Sequence, residues 1–297
     1  MRIGSAPVSF GIHGGADVSK LAATPRELVA AMAAAGYTGS ELGPPGFFGT
    51  PEETATLFAD HGLAVLGAYV PLHLSQPDEV MAADLEGMRR TLEELAAAGG
   101  EGLAILADEG DEAIIAHPFR PNAERGLDAA QWDLALERLA AAEELARQAG
   151  LRTSFHPHFG TYVEQAPEID VLLQRTGIGL CLDTGHFVLG GADPVAYLRE
   201  WGHRVNHVHV KDVRPAVLEA AKASGNERID DWWDEVSVPL GTGDGPLEEF
   251  LAQIRRSDYD GWLVVEQDGA PATAETWDRI VGDQRHNHDW IAERLGR

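Results

Sequence analysis

Along the chain, Ala- and Leu-rich stretches with charged residues at helical spacing repeatedly end on a glycine and give way to a short apolar run. The passage occurs around Gly36 ("AAAGYTGSEL"), Gly62 ("ADHGLAVLGAYV"), Gly99 ("AAAGGEGLAIL"), Gly150 ("RQAGLRTSFH"), Gly177 ("QRTGIGLCLD"), Gly202 ("EWGHRVNHVHV") and Gly261 ("YDGWLVVEQD"). A glycine just past a helix can take the left-handed conformation that closes it, after which the chain enters a strand. Seven such passages behind an opening strand, "MRIGSAPVSF", predict eight β/α units. Eight alternating units in 297 residues predict a (β/α)8 TIM barrel, a single α/β domain over residues 1–297. A doubly wound open sheet would more often carry a Gly-rich dinucleotide fingerprint after its first strand, and "IGSAPVSFG" is not one. Residues 213–245 exceed a minimal βα connection and read as a loop insertion near the active-site face, before the last helix and strand.

Within the apolar runs the side chains alternate between two faces. In "VNHVHVK", Val208 and Val210 share the face that meets the helices, so His207, His209 and Lys211 point into the barrel. By the same parity Cys181 and Asp183 of "GLCLD" point in, as do Glu266 of "WLVVE", His156 of "RTSFH" and Glu41 of "TGSEL". Polar residues therefore gather at the C-terminal ends of strands 2, 5, 6, 7 and 8, the end where TIM-barrel active sites are built.

Each of these residues alone has an ordinary explanation. An inward Asp or Glu caps the next helix, and a single buried histidine is a satisfied core residue, as we read His207, one pleat deeper than His209. Cys181 reads as a small apolar core residue, and Trp232 and Trp233 as packing of the insertion rather than a sugar platform. His13, His61, His73 and His117 carry no functional signal. Convergence changes the picture, because carboxylates packed together in a desolvated place need a cation. Carboxylates with an imidazole suit a divalent ion, Mn²⁺ or Co²⁺ first and Mg²⁺ next.

Charge narrows the partners. Lys plus Arg is 23 against 48 Asp plus Glu, a net charge of −25, which excludes nucleic acid and an anionic membrane as partners. One cysteine excludes a disulfide framework and an all-thiolate zinc site, and fits a reducing compartment. Without a secretory leader pattern or an apolar run long enough to span a bilayer, the expected location is the cytoplasm. No HExxH, GxSxG or Walker pattern occurs.

Taken in order, "APVSFG", "GYTGSELGPPGFFG", "HPHFGTYVE", "LDTGH", "HVHVKD", "VPLGTGDG" and "VVEQD" resemble the xylose isomerase-like TIM barrels, the sugar phosphate isomerase/epimerase superfamily. Within it they look most similar to the inosose dehydratases of myo-inositol catabolism. The resemblance implies a metal held by a Glu from strand 5, an Asp from strand 6, a His from strand 7 and a Glu from strand 8. Asp183, His209 and Glu266 match the last three. At strand 5 the chain departs from the pattern, with His156 where the glutamate is expected and Glu164 past the following turn. Our preferred reading makes Glu164 the ligand and leaves His156 and His158 to proton chemistry, with His156 as ligand the alternative. His186 matches a substrate-contacting histidine, Lys211 could hold a substrate hydroxyl or enolate oxygen, and Glu41 could accept from substrate.

The implied reaction passes through an enediolate of a keto-polyol or keto-sugar, with dehydration of an inosose ranked first. Isomerisation or epimerisation shares almost every residue and is the alternative, and a non-catalytic sugar-binding barrel is a third class. The superfamily's endonucleases are excluded by the acidity and by the lack of further strand-end histidines. A small-molecule substrate and a homo-oligomer are compatible with this reading.

Overall fold

The computed structural model describes residues 1–13, 22–99, 102–119 and 126–297. Its strands are β1 (Arg2–Ser5), β2 (Gly39–Leu42), β3 (Ala64–Leu72), β4 (Leu103–Asp108), β5 (Arg152–Phe155), β6 (Gly179–Asp183), β7 (Val205–Val210), β8 (Asp212–Val213), β9 (Ser237–Val238) and β10 (Trp262–Val265). Eight of them close a parallel barrel in the order β1-β10-β7-β6-β5-β4-β3-β2, while β8 and β9 form a separate antiparallel pair. The expected TIM barrel is present, and each glycine passage leads into a barrel strand.

Local chemistry explains where the helices begin. Thr24, Thr50 and Asp128 each form a capping box with the residue three further on, ahead of helices Pro25–Ala35, Pro51–Asp60 and Ala129–Gln148. Their ends are less uniform than the glycine pattern implied. Gly36, Gly62, Gly99 and Gly150 have positive φ as expected. Gly202 stays right-handed, and helix Ala166–Arg175 stops at an extended Thr176 before Gly177 is reached.

The strand parity holds in the packing. Phe155, Leu180, Leu182, Val208, Val210, Leu263 and Val265 lie in the large core between barrel and helices. Small separate clusters formed by Leu66, Trp262 and Val264, and by Leu103, Ile105 and Cys181, fill the lumen. Register then sets the upper layer: Asp183 pairs with His209 across β6 and β7, and Val264 pairs with His209 across β10 and β7. The segment 213–245 contributes helices Pro215–Ser224 and Trp233–Val236 and the strand β9. It is tied to the barrel by Asp212, whose carboxylate accepts from the backbone N–H groups of Gly241, Gly243 and Gly245. A Cβ on Gly243 would lie 2.4 Å from that carboxylate, which accounts for the glycine in "GTGDG". Helix Trp277–Leu295 follows the last barrel strand. Among the described residues no helix is long and apolar enough to cross a membrane.

Candidate active site

Asp183 organises the upper end of the barrel. It is the N-cap of helix Thr184–Leu189, and its Oδ1 accepts from the N–H groups of Gly185 (2.7 Å) and His186 (3.0 Å). The cap fixes the carboxylate and aims Oδ2 into the lumen, where it is fully buried and has no hydrogen-bond partner. Around it stand Lys211 Nζ at 3.4 Å, His156 Nε2 at 3.5 Å, His209 Nδ1 at 3.6 Å and His186 Nε2 at 3.9 Å. The ordinary role of a capping carboxylate and a role in the lumen thus fall on different oxygens of one residue.

His209 presents its two nitrogens to two carboxylates. Nε2 is 2.8 Å from Glu41 Oε1, and Nδ1 is 3.1 Å from Glu266 Oε2 without forming a hydrogen bond. The same Glu41 oxygen lies 2.6 Å from His207 Nε2. Glu41 thereby shares one carboxylate oxygen between two imidazoles. His207 is the satisfied buried histidine expected, although its partner is part of the upper layer. Burial alone would raise the pKa of Glu41, but the charge of His209 and the bonds from both imidazoles hold it below the usual range. Burial opposes protonation of His209, yet its interaction with the buried Cys181 and the negative charges of Glu266 and Glu41 raise its pKa well above the ordinary imidazole value.

Lys211 lies on the same inward face as His209 and is 1% exposed. Its ammonium contacts Asp268 Oδ2 at 2.8 Å, His186 Nε2 at 2.9 Å and Glu266 Oε2 at 3.0 Å, besides Asp183. Burial disfavours the ammonium, but Asp183, Asp268 and Glu266 outweigh that and keep it charged. The reciprocal effect of His209 and Lys211 overcomes burial at Glu266 and lowers its carboxyl to about 2. Gly185 makes room for the lysine: a Cβ there would lie 2.7 Å from the lysine stem.

The loop after β5 differs from expectation. His156 is buried, and neither of its nitrogens has a hydrogen-bond partner. Burial pushes its pKa down to about 4, so at neutral pH it is a neutral imidazole with a lone pair. Glu164, our preferred strand-5 ligand, turns its Oε2 back to Gly160 N–H at 2.5 Å. The donor atoms of His156, Asp183, His186 and Glu266 lie within 4.8 Å of one another, a group to which Glu164 does not belong. A second such group is His156, Cys181 and His209, and a third is Glu41, His207 and His209. The Cys181 thiol is pushed up to about 11 by burial, in keeping with a core residue.

His158 and His186 form a pair beside this cluster, ring centroids 3.9 Å apart. His158 Nδ1 faces the Phe159 carbonyl oxygen at 2.8 Å and must carry the proton there, which leaves Nε2 to exchange protons. His186 faces the Lys211 ammonium with Nε2 at 2.9 Å and the Phe159 amide with Nδ1 at 3.3 Å, and a neutral ring accepts from only one of them. Burial, His158 and Lys211 hold it neutral, well below its usual pKa.

Three contributors escaped the sequence. Asp268 shares the parity of Glu266, and that signal was available. Tyr69, edge-on to His156 and donating to Glu109 at 2.6 Å, comes from a strand with no polar pattern at its end. Trp233 packs in the insertion's apolar cluster, as expected, and there stacks on Phe159 and on His186. Away from the cluster, His61 contacts the Leu57 carbonyl, His73 pairs with Asp84 and His117 with Glu227. A cavity of about 740 Å³ opens at the opposite mouth, lined by Arg2, Arg152, Val205 and Trp262; of the upper cluster's partners it meets only His207.

Buried donors without partners are what a cation site requires, since such atoms otherwise cost stability. Asp183 Oδ2, His156 Nε2 and His209 Nδ1 meet that description, with Glu266 Oε2 beside them. The residues therefore fit a divalent ion with mixed oxygen and nitrogen ligands.

The xylose isomerase-like TIM barrel family model matches residues 29–293. The chain belongs to this family. It is similar to an inosose dehydratase from Geobacillus kaustophilus, 29% identical over 93% of this chain and 90% of that protein. An L-ribulose 3-epimerase structure superposes with a TM-score of 0.71 at 19% identity, over 99% of this chain and 94% of that one. The IOLI protein with a bound zinc atom superposes with a TM-score of 0.70 at 13% identity, over 99% and 98%. These two structural likenesses establish the shared fold.

Proposed function

We propose that the protein is a divalent-metal-dependent lyase that dehydrates an inosose or a closely related keto-polyol. It is an enzyme of the xylose isomerase-like family, and its full-length likeness to proteins named inosose dehydratase supports the substrate class. The observation that carries the reading is the meeting of the buried, unsatisfied donor atoms of His156, Asp183 and His209, with Glu266 Oε2 3.1 Å from His209 Nδ1, beside the His158–His186 pair.

These four residues would hold the ion, His156 in place of the expected glutamate and Glu164 outside the set. The bound ion supplies Lewis-acid polarisation of a ketone and its neighbouring hydroxyl. The protein's own groups do the rest. His158 Nε2 is the atom free to take the proton from the carbon next to the ketone, or to hand one to the departing β-hydroxyl. Lys211 holds a positive charge at the cluster and would stabilise an enolate oxygen as charge builds on it. Trp233 stacked on His186 shields that side from water. Loss of the hydroxyl as water leaves an enol that becomes a dione. Return of the proton to carbon would instead give an isomerase or epimerase. Elemental analysis of purified protein, expected to give about one divalent ion per chain, tests the site. Full occupancy in both Asp183→Asn and Glu266→Gln would overturn the ligand assignment.

A further inference from the structure

Lys211 and the proposed ion make claims on the same atoms. Its ammonium is 3.4 Å from Asp183 Oδ2 and 3.0 Å from Glu266 Oε2, the two carboxylate oxygens assigned above to the ion. Two cations cannot share those oxygens at full strength in a dry site, where like charges repel strongly. A buried ammonium also cannot be left without a partner. The third carboxylate within reach is Asp268, at 2.8 Å the shortest of the three contacts. Asp268 is 9% exposed, and among the described residues its carboxylate has no ion-pair partner other than Lys211. Its placement is fixed from the backbone: Asp268 N–H donates to Ser237 Oγ at 3.0 Å, on the β9 strand that Asp212 and Val213 hold against the barrel.

We propose that Asp268 is a positioning residue for Lys211, drawing its ammonium off Asp183 and Glu266 so that those oxygens can take a divalent ion. The proposal rests on the metal reading above. Asp268 touches no proposed ligand and acts through Lys211 alone. Losing a hydrogen bond to a charged group shifts an equilibrium by about tenfold or more. Loss of the Asp268 charge should therefore weaken ion binding by about tenfold or more.

The test is a double-mutant cycle on the full-length protein, with Mn²⁺ affinity read by calorimetry and folding checked by circular dichroism. Asp268→Asn is expected to weaken Mn²⁺ binding about tenfold in the wild-type background. Lys211→Met removes the competitor and should bind Mn²⁺ at least as tightly as wild type. In the Lys211→Met background, Asp268→Asn should then change affinity by less than about twofold, because there is no ammonium left to position. Asp268→Glu, which keeps the charge, should recover most of the lost affinity. An equal loss from Asp268→Asn in both backgrounds would mean that Asp268 acts on the ion directly, and would overturn the proposal. So would unchanged affinity of Asp268→Asn in the wild-type background. Absence of Mn²⁺ binding by wild-type protein would instead overturn the metal reading itself, and this inference with it.

Discussion

Glu41→Gln keeps the shape of a side chain whose single oxygen serves His207 at 2.6 Å and His209 at 2.8 Å, and removes only its charge. If His209 binds an ion through Nδ1, its Nε2–H must donate elsewhere, and a carboxylate there makes the ring a better ligand. Charge-assisted hydrogen bonds are about twice as strong as neutral ones, so the His209 bond loses about 1 kcal/mol of a 1.5–3 kcal/mol contribution. The lone pair on Nδ1 weakens as well. Losing a supporting carboxylate of this kind costs about 10–100-fold in metal affinity, or roughly 1.4–2.8 kcal/mol. Because Glu41 also helps to raise the His209 pKa, calorimetric titration with Mn²⁺ in buffers of different ionisation enthalpy compares affinities corrected for the proton released, and a thermal melt monitored by circular dichroism shows that the fold survives. Affinity within about twofold of wild type in a folded Glu41→Gln protein would refute the chain from Glu41 through His209 to the ion.

Strand 5 can be settled by two variants: His156→Ala should lose the ion, while Glu164→Gln, whose carboxylate faces Gly160, should retain it, and elemental analysis showing the reverse would restore Glu164 as ligand. Ion binding should release about one proton near neutral pH. The sign follows from two imidazoles: His209 has a raised pKa and must give up a proton to bind, whereas His156, lowered to about 4, has none to give. Affinity should therefore rise with pH by up to about tenfold per unit below the His209 pKa. Calorimetry in buffers of different ionisation enthalpy counts that proton, and zero release would remove His209 as a protonated competitor. His158→Gln should slow turnover by about 10²–10⁴-fold, the usual worth of a general acid or base, with metal content unchanged. A rate within threefold of wild type would move the proton transfer to another group.

Much of this architecture was legible because strand parity is a strict period of two. Once Val208 and Val210 were assigned to the helix side, His207, His209 and Lys211 had to enter the lumen, and they do. The same rule reached Glu41, His156, Asp183 and Glu266. It stops at the last paired residue. Glu164 lies beyond β5 in a turn, where nothing periodic fixes its direction, and the Gly160 N–H captures it. Parity also says which side chains enter without saying which atoms meet. Glu41 pointed inward as expected, but its sharing between two imidazoles depends on the register and length of side chains on β2 and β7. The lysine supplied the counter-charge that sequence reasoning assigned wholly to a metal. The glycine punctuation located seven barrel strands but not β8 or β9, and Gly177, Gly202 and Gly261 close no left-handed turn.

The most direct test is to incubate Mn²⁺-loaded protein with an inosose in heavy water and follow ultraviolet absorbance together with deuterium in the substrate and product. A metal-polarised ketone beside a free imidazole predicts solvent deuterium at the carbon next to the ketone and growth of an enol or dione chromophore, both absent with Asp183→Asn. Deuterium exchange without a chromophore, accompanied by conversion of a ketose to its epimer, would contradict dehydration and make the protein an epimerase.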